Sequence, residues 1–371
     1  MTGLARLTPG APRPRARGAL DAIVPYEPGM TPELARRRLK RPTFAKLSSN
    51  ENPFGPSPAA IDAALWALSE AGSYPDSTSL ALRRALALHL GAPLDRVAAG
   101  PGSEALIDYF FRAYLSPGDA LLLSRPTFPS YEIFARSAGA TIIDIPRDES
   151  FAIDVAAVRR ALGARPKALA LCTPNNPTGN RTPRSDLEAI LEATPLETVV
   201  LLDEAYVEFH DEGGALDLLE GWGGVFLLTR TFSKAYGLAG LRIGYGVASG
   251  PEVLDAFDRL RPAFNLTSAS QAAAIAALGD QAHMRRGVEA VTAERARMER
   301  TLTEAGLFHT ASQANFVFVR SPGPIDQVFE RLLAAGLIVR PIRFGDGYFR
   351  ITVGEPPIND RVLAELLAMA R

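Results

Sequence analysis

Six short runs of apolar or β-branched residues recur through the middle of the chain, at residues 120–123, 141–145, 168–171, 199–202, 225–228 and 243–247. Stretches with a helical apolar period separate them, among them residues 155–162 and 186–192. Continuous apolar strands alternating with amphipathic helices predict an α/β fold, a mainly parallel sheet covered by helices on both faces. An earlier strand is expected to end near Ala99, where Gly100-Pro101-Gly102 turns the chain into a helix beginning about Ser103. From residue 268 to 306 the chain reads as long and helical. A smaller α+β unit follows, with a strand around 315–319, a helix around 325–335, strands at 337–341 and 349–353, and a last helix from Asn359. The expected organisation is a tail and arm over residues 1–45, a large domain over 46–262 and a small C-terminal domain over 263–371.

Composition narrows the class without deciding it. A chain of 371 residues, 47% of them hydrophobic, buries a large core and exceeds the usual single-domain size, so two domains are the default. Forty Lys and Arg against 41 Asp and Glu leave a net charge of −1, which argues against nucleic-acid or membrane partners and for small soluble substrates. The single cysteine, Cys172, excludes an internal disulfide and is compatible with a reducing, cytoplasmic compartment. His89, His210, His283 and His309 show no metal-ligand spacing, so no metal is expected. The first twenty residues carry arginines and prolines without an apolar h-region, which reads as a tail and not a secretory signal. No apolar run approaches the roughly 20 residues that cross a bilayer.

Candidate chemistry gathers at the ends of the predicted strands. Asp203 closes the run Val199-Val200-Leu201-Leu202, and open α/β sheets bind ligands at the carboxyl ends of their strands. Lys234 lies in Thr231-Phe232-Ser233-Lys234-Ala235-Tyr236-Gly237, with Tyr206 before it and Arg242 after it. A lysine that attacks a carbonyl has to be uncharged near neutral pH. A carboxylate such as Asp203 would keep a pyridinium nitrogen protonated, and Ser233 and Arg242 offer a hydroxyl and a guanidinium fork to a phosphate. Together these groups describe a pyridoxal phosphate site. Singly each is weak: a lysine after a serine is ordinarily a solvated surface group, and Asp203-Glu204-Ala205-Tyr206 is also a strand entering a polar turn. Cys172-Thr173-Pro174-Asn175-Asn176-Pro177-Thr178-Gly179 is a turn on any reading. The glycine-rich turn before Ser103 presents helix N-terminal N–H groups that suit an anion, although Ser103 is equally an ordinary N-cap. A dinucleotide fold is disfavoured, because Gly244-x-Gly246 comes late and lacks the third glycine of the G-x-G-x-x-G fingerprint.

The segments LSSNENPFGPSP (residues 47–58), YPD (74–76), NNPTG (175–179), LLDEAYVEF (201–209), TFSKAYGLAGLRIGYG (231–246) and FRITVG (349–354) carry a resemblance. They resemble the fold-type I pyridoxal phosphate-dependent transferases, and within them the histidinol-phosphate aminotransferase family, from about Tyr26 to the C-terminus. The lysine and NNPTG segments mark the superfamily. NENPFGPSP with YPD points to the narrower family, but aromatic aminotransferases and threonine-phosphate decarboxylases share versions of it.

The resemblance implies a role for each motif residue. Lys234 would carry the cofactor and move a proton at the substrate Cα. Asp203 would face the ring nitrogen, with Asn176 and Tyr206 on the ring oxygen. Gly102, Ser103, Glu104, Ser233 and Arg242 would hold the phosphate. The family more often has Ser-Asp where this chain has Ser103-Glu104, which leaves open whether Glu104 acts through its side chain or its backbone. Phe128 would lie flat on the ring, with a core phenylalanine at a strand-to-helix junction as the plainer alternative. Tyr74 would reach the phosphate in a neighbouring subunit, which implies a homodimer with shared sites. The Asn176–Pro177 peptide is expected to be cis, and the N-terminal arm to join the small domain. Arg350 would grip the substrate carboxylate or phosphate, and Tyr26, Asn52 and Arg340 complete the implied substrate set. Arg340 is also readable as a surface residue at a strand end. The implied reaction is transamination of L-histidinol phosphate with 2-oxoglutarate, giving imidazole-acetol phosphate and glutamate in histidine biosynthesis. Aromatic amino-acid transamination and threonine-phosphate decarboxylation stand as alternatives, and no residue stands out as the holder of the imidazole.

Overall fold

The structure is a computed structural model, and it describes residues 16–25, 29–40 and 42–370. In chain order its strands are β1 (Ala45–Lys46), β2 (Val97–Gly100), β3 (Ala120–Arg125), β4 (Thr141–Pro146), β5 (Ala168–Cys172), β6 (Val199–Asp203), β7 (Phe226–Thr231), β8 (Gly244–Ala248), β9 (Phe316–Arg320), β10 (Leu337–Ile338), β11 (Arg340–Ile342) and β12 (Tyr348–Thr352). Seven of them form the central sheet in the order β2-β8-β7-β6-β5-β3-β4. All its pairings are parallel except those of β8, which runs antiparallel to both neighbours.

Alternation along the buried strands explains how two helical layers are served by one apolar run. Leu121, Leu123, Ala168, Ala170, Val199 and Leu201 point to one face, where they pack with Phe110, Phe111, Tyr131 and Phe257. Leu122, Leu169, Leu171, Val200 and Leu202 point to the other, against Val158, Leu187 and Ile190. The same parity sends Cys172 and Asp203 to the face that carries Tyr131.

A second sheet, β11-β12-β9, is antiparallel throughout. Phe349 and Ile351 enter the core, so alternation turns Tyr348, Arg350 and Thr352 to the opposite face. β1 pairs in parallel with β10, and Ala35 on the helix Pro32–Leu39 packs with Leu333 and Ile338.

Three sequence expectations need correction. The helical stretch 268–306 is two helices, Ser268–Gly279 and Gln281–Glu304, separated at Asp280, whose side chain caps the second by accepting from the His283 N–H. The strand expected over 337–341 splits at Val339 into β10 and β11, which belong to different sheets. The last helix begins at Pro356, because proline is tolerated in a first helical turn where N–H groups lack intrahelical partners. The helix Ser268–Gly279 packs mainly on Pro58–Leu68 and Leu80–Leu90, two helices that precede the central sheet in sequence.

Gly237 closes the loop after Lys234 with φ of +70°, and a Cβ there would collide with the Gly55 carbonyl. Both the left-handed backbone and the contact exclude a side chain. Gly237→Ala is expected to cost about 1–3 kcal/mol, read as a lowered urea midpoint. A variant with an unchanged midpoint would show that the loop tolerates the added carbon.

Candidate active site

Strand register brings the site together at one edge of the central sheet. Cys172, Asp203 and Thr229 are aligned across β5, β6 and β7, and Gly244 at the start of the reversed β8 pairs with both Thr231 and Gly100. Four carboxyl ends and one amino end therefore meet there, each followed or preceded by a motif. A cavity of about 410 Å³ opens on this edge. Its lining includes Gly102, Ser103, Glu104, Phe128, Asn176, Asp203, Tyr206, Ser233, Lys234, Arg242 and Arg350, eleven residues singled out from sequence.

Asp203 forms the floor and is 4% exposed. Burial raises its carboxyl to about 6, against the opposing effect of the Tyr131 hydroxyl, which donates to Oδ2 at 2.6 Å, and of Thr229, which donates to Oδ1 at 3.1 Å. Beside it the Cys172 thiol is pushed up to about 12, chiefly by burial, and is therefore inert as a nucleophile.

Lys234 lies three residues beyond β7, and its Nζ donates to the Ser49 carbonyl at 3.0 Å. Burial, reinforced by the positive charge of Arg350, lowers its ammonium to about 7. Part of such a population is uncharged at neutral pH. Tyr206 Oη accepts from Asn50 Nδ2 at 2.9 Å, and Asn176 Oδ1 accepts from Arg350 Nη1 at 2.6 Å. With those acceptors engaged, the Tyr206 hydroxyl proton and the Asn176 amide protons are directed elsewhere. Asn176–Pro177 is cis, as are Thr173–Pro174 and Arg125–Pro126. Asn175 ties this turn to the one bearing Phe128, accepting from Thr127 Oγ1 at 2.8 Å and donating to the Pro126 carbonyl at 3.0 Å.

On the anion side, the helix Ser103–Tyr114 starts with Gly102 in the cap position, so Ser103 is the first helical residue. Gly102 has φ of +85°, and a Cβ on it would lie 2.8 Å from Arg242 Nη2. A side chain on Gly244 would collide with the Ser103 nitrogen. Glycine at both positions thus lets a guanidinium and a helix N-terminus converge. Glu104 Oε1 accepts from the Ser130 hydroxyl at 2.5 Å, which occupies its side chain within the protein.

Four sequence candidates fall elsewhere. Tyr26 lies outside the described residues. Asn52 is absent from the cavity lining: its amide donates to the Ala235 carbonyl and its oxygen accepts from the Phe54 N–H, both at 2.9 Å. Asn50, two residues earlier, is 1% exposed and takes the inward place. Tyr74 is 83% exposed and stacks on Phe264 with ring centroids 4.6 Å apart, away from the cavity of its own chain. Arg340 is outside the lining but pairs across strands with Arg350. Tyr131 and Asn50 were missed from sequence.

Among the described residues, no group of three or more His, Cys, Asp or Glu would hold a metal, and no helix is long and apolar enough to cross a membrane.

A lysine and an acid at the carboxyl edge of a mixed seven-stranded sheet, with an anion cradle beside them, define a fold-type I transferase. Residues 42–367 match the family of aminotransferases of class I and II, and the chain belongs to it. Histidinol-phosphate aminotransferase 2 of Caulobacter vibrioides is 52% identical over 362 residues, which cover 98% of this chain and 96% of that protein. An aromatic amino acid aminotransferase of Rhodococcus jostii is 37% identical, over 95% of each. The crystal structure of histidinol-phosphate aminotransferase from Sinorhizobium meliloti in complex with pyridoxal-5'-phosphate has a TM-score of 0.88 and 28% identity, covering 97% of this chain and 99% of that one.

An amine reacts in its uncharged form, which prevails above its pKa. In protein freed of cofactor, acylation of Lys234 should therefore rise with a midpoint near pH 7, lowered from the ordinary lysine value of 10.5. Pulse labelling across a pH series, read by peptide mapping, checks this. Labelling that rises only above pH 9 would mean that the amine is not desolvated.

Proposed function

We infer that this protein is a pyridoxal phosphate-dependent aminotransferase that takes the amino group of L-histidinol phosphate and passes it to 2-oxoglutarate, giving imidazole-acetol phosphate and glutamate. The observation that carries the substrate choice is the pairing of Arg340 with Arg350 directly across β11 and β12. Like charges opposite each other on a sheet are unfavourable, and an anion between them relieves the repulsion. A phosphate near −2 does so more fully than a carboxylate. The relatives from Caulobacter vibrioides and Sinorhizobium meliloti support the same choice.

The residues fit the cofactor: a lysine lowered to about 7, a buried acid for a ring nitrogen, and a cradle that only glycines at 102 and 244 leave open. When bound, pyridoxal phosphate supplies an electrophilic carbonyl carbon and a ring that draws electrons from the substrate Cα. We propose that Asp203 holds the ring nitrogen, fixed by Tyr131 and Thr229. Asn176 and Tyr206 would donate to the ring oxygen, Phe128 would cover the ring face, and Ser103, Ser233, Arg242 and the helix N-terminus would hold the phosphate. Glu104 contributes through its backbone, since its carboxylate is taken by Ser130. Lys234 Nζ, uncharged, accepts the substrate Cα proton and is the group placed to return it. Arg350, with Arg340 behind it, anchors the anionic end of the substrate.

We further propose a cytoplasmic homodimer, supported by the exposed Tyr74, stacked on Phe264 and available to a second copy. The described part of the arm is proposed to belong with the C-terminal unit, supported by the β1–β10 pairing and the contact of Ala35.

Catalytic efficiency on L-histidinol phosphate, phenylalanine and threonine phosphate, each with 2-oxoglutarate, tests the reading. Histidinol phosphate should lead. A preference for phenylalanine would move the protein to the aromatic aminotransferases, and release of CO₂ without an amino acceptor would make it a decarboxylase. Arg340→Ala should lower kcat/KM on histidinol phosphate about 10- to 100-fold with a much smaller effect on glutamate. Equal losses on both would remove phosphate recognition from Arg340. Asp203→Ala should lower kcat on the order of 10³-fold or more with little change in substrate affinity. A variant within tenfold of wild type would assign Asp203 another role.

A further inference from the structure

Three carboxylates line the cavity among the described residues: Asp203, Glu104 and Glu51. Two are engaged within the protein, Asp203 by Tyr131 and Thr229 and Glu104 by Ser130. Glu51 differs. Its partner is Lys46, with Nζ 2.6 Å from Oε1, and the two side chains are 42% and 32% exposed. An ion pair that open to water holds weakly and yields readily to a ligand.

The position of Glu51 follows from the segment it ends. The Ser48 carbonyl accepts from Arg350 Nη2 at 2.5 Å, the Ser49 carbonyl from Lys234 at 3.0 Å, and Asn50 donates to Tyr206 at 2.9 Å. The segment thus runs past the groups that fix the anionic end and the reacting end of the substrate. A substrate spanning Arg350 and Lys234 would lie along it, in the same cavity that Glu51 lines.

We propose that Glu51 accepts a hydrogen bond from the ring N–H of the substrate imidazole and so selects imidazole-bearing over phenyl-bearing amino donors. This rests on the reading of the protein as a histidinol-phosphate aminotransferase. Neutral imidazole carries one N–H donor, and an ionised carboxylate is an acceptor only, so the match is charge-assisted. A phenyl ring has no donor. It would displace water from the carboxylate and return nothing, which is how a polar site rejects an apolar analogue.

The test compares kcat/KM of the holoenzyme for L-histidinol phosphate and L-phenylalaninol phosphate, which keeps the amine and the phosphate and lacks the ring N–H. Wild type should prefer histidinol phosphate by about 10- to 100-fold. Glu51→Ala should lose most of that preference through a higher KM for histidinol phosphate, and Glu51→Gln, which keeps an acceptor oxygen, should recover part of it. Lys46→Ala breaks the ion pair but should keep the preference. Equal losses on both substrates in Glu51→Ala, or a preference erased as fully by Lys46→Ala, overturns the proposal, since either would make Glu51 a support for Lys234 or for the segment. A wild type that turns over both phosphates with no preference also overturns it and leaves the functional reading intact. A wild type with no turnover of histidinol phosphate overturns that reading, and this one with it.

Discussion

Asp203 is 4% exposed at the carboxyl end of β6, and withdrawal from water raises its carboxyl to about 6 even with two hydroxyl donors on it. The same physics moves Lys234 the other way, down to about 7. Desolvation disfavours whichever form is charged, so one environment brings an acid and a base toward each other in pKa. Neither group holds its charge as firmly as it would in water. A cationic ring nitrogen brought against Asp203 would favour its ionised form, and a lysine lowered this far gives up its proton readily. The electrostatic cost of the cofactor-free site is in this sense preorganisation for a cationic ring.

That arrangement depends on elements far apart in sequence. The segment from Ser48 to Glu51 is the hinge of it. Asn50 N–H donates to Thr352 Oγ1 at 2.9 Å, and the Asn50 carbonyl accepts from Asn315 Nδ2 at 3.0 Å, tying the segment to β12 and to the chain entering β9. Its other bonds reach Lys234 and Tyr206 on the central-sheet side. One short stretch therefore links Arg350 to Lys234. A change of a few tenths of an ångström there would be felt at both.

Much of this was legible in the sequence because strand ends are. Apolar runs of five residues, buried on both faces, announce where a parallel sheet terminates, and the polar residues immediately after them are the site. That logic found Asp203, Lys234, the NNPTG turn and the glycine turn before Ser103. It failed where side-chain direction and not chain position decides. NENPFGPSP contains two asparagines, and Asn52 was selected although the backbone at Asn50, with φ of +55°, turns Asn50 inward and Asn52 toward Ala235. Tyr131 was passed over because a tyrosine inside a helix is an ordinary core residue; only the parity that places Asp203 on the same face shows what its hydroxyl does. The split between β10 and β11 and the break at Asp280 escaped for a related reason. Apolar periodicity continues through both, and it is sheet membership and a capping carboxylate that end the elements.

The charge of the substrate also bears on the base. Arg350 is among the causes that hold the Lys234 ammonium low, second to burial. An anion taken up at Arg350 would weaken that repulsion and so raise the affinity of Lys234 for a proton. A phosphate near −2 would do this more strongly than a single carboxylate. Substrate recognition and base strength are then one electrostatic event. A neutral aromatic side chain elsewhere in the cavity contributes nothing to it, because it carries no charge to set against Arg350.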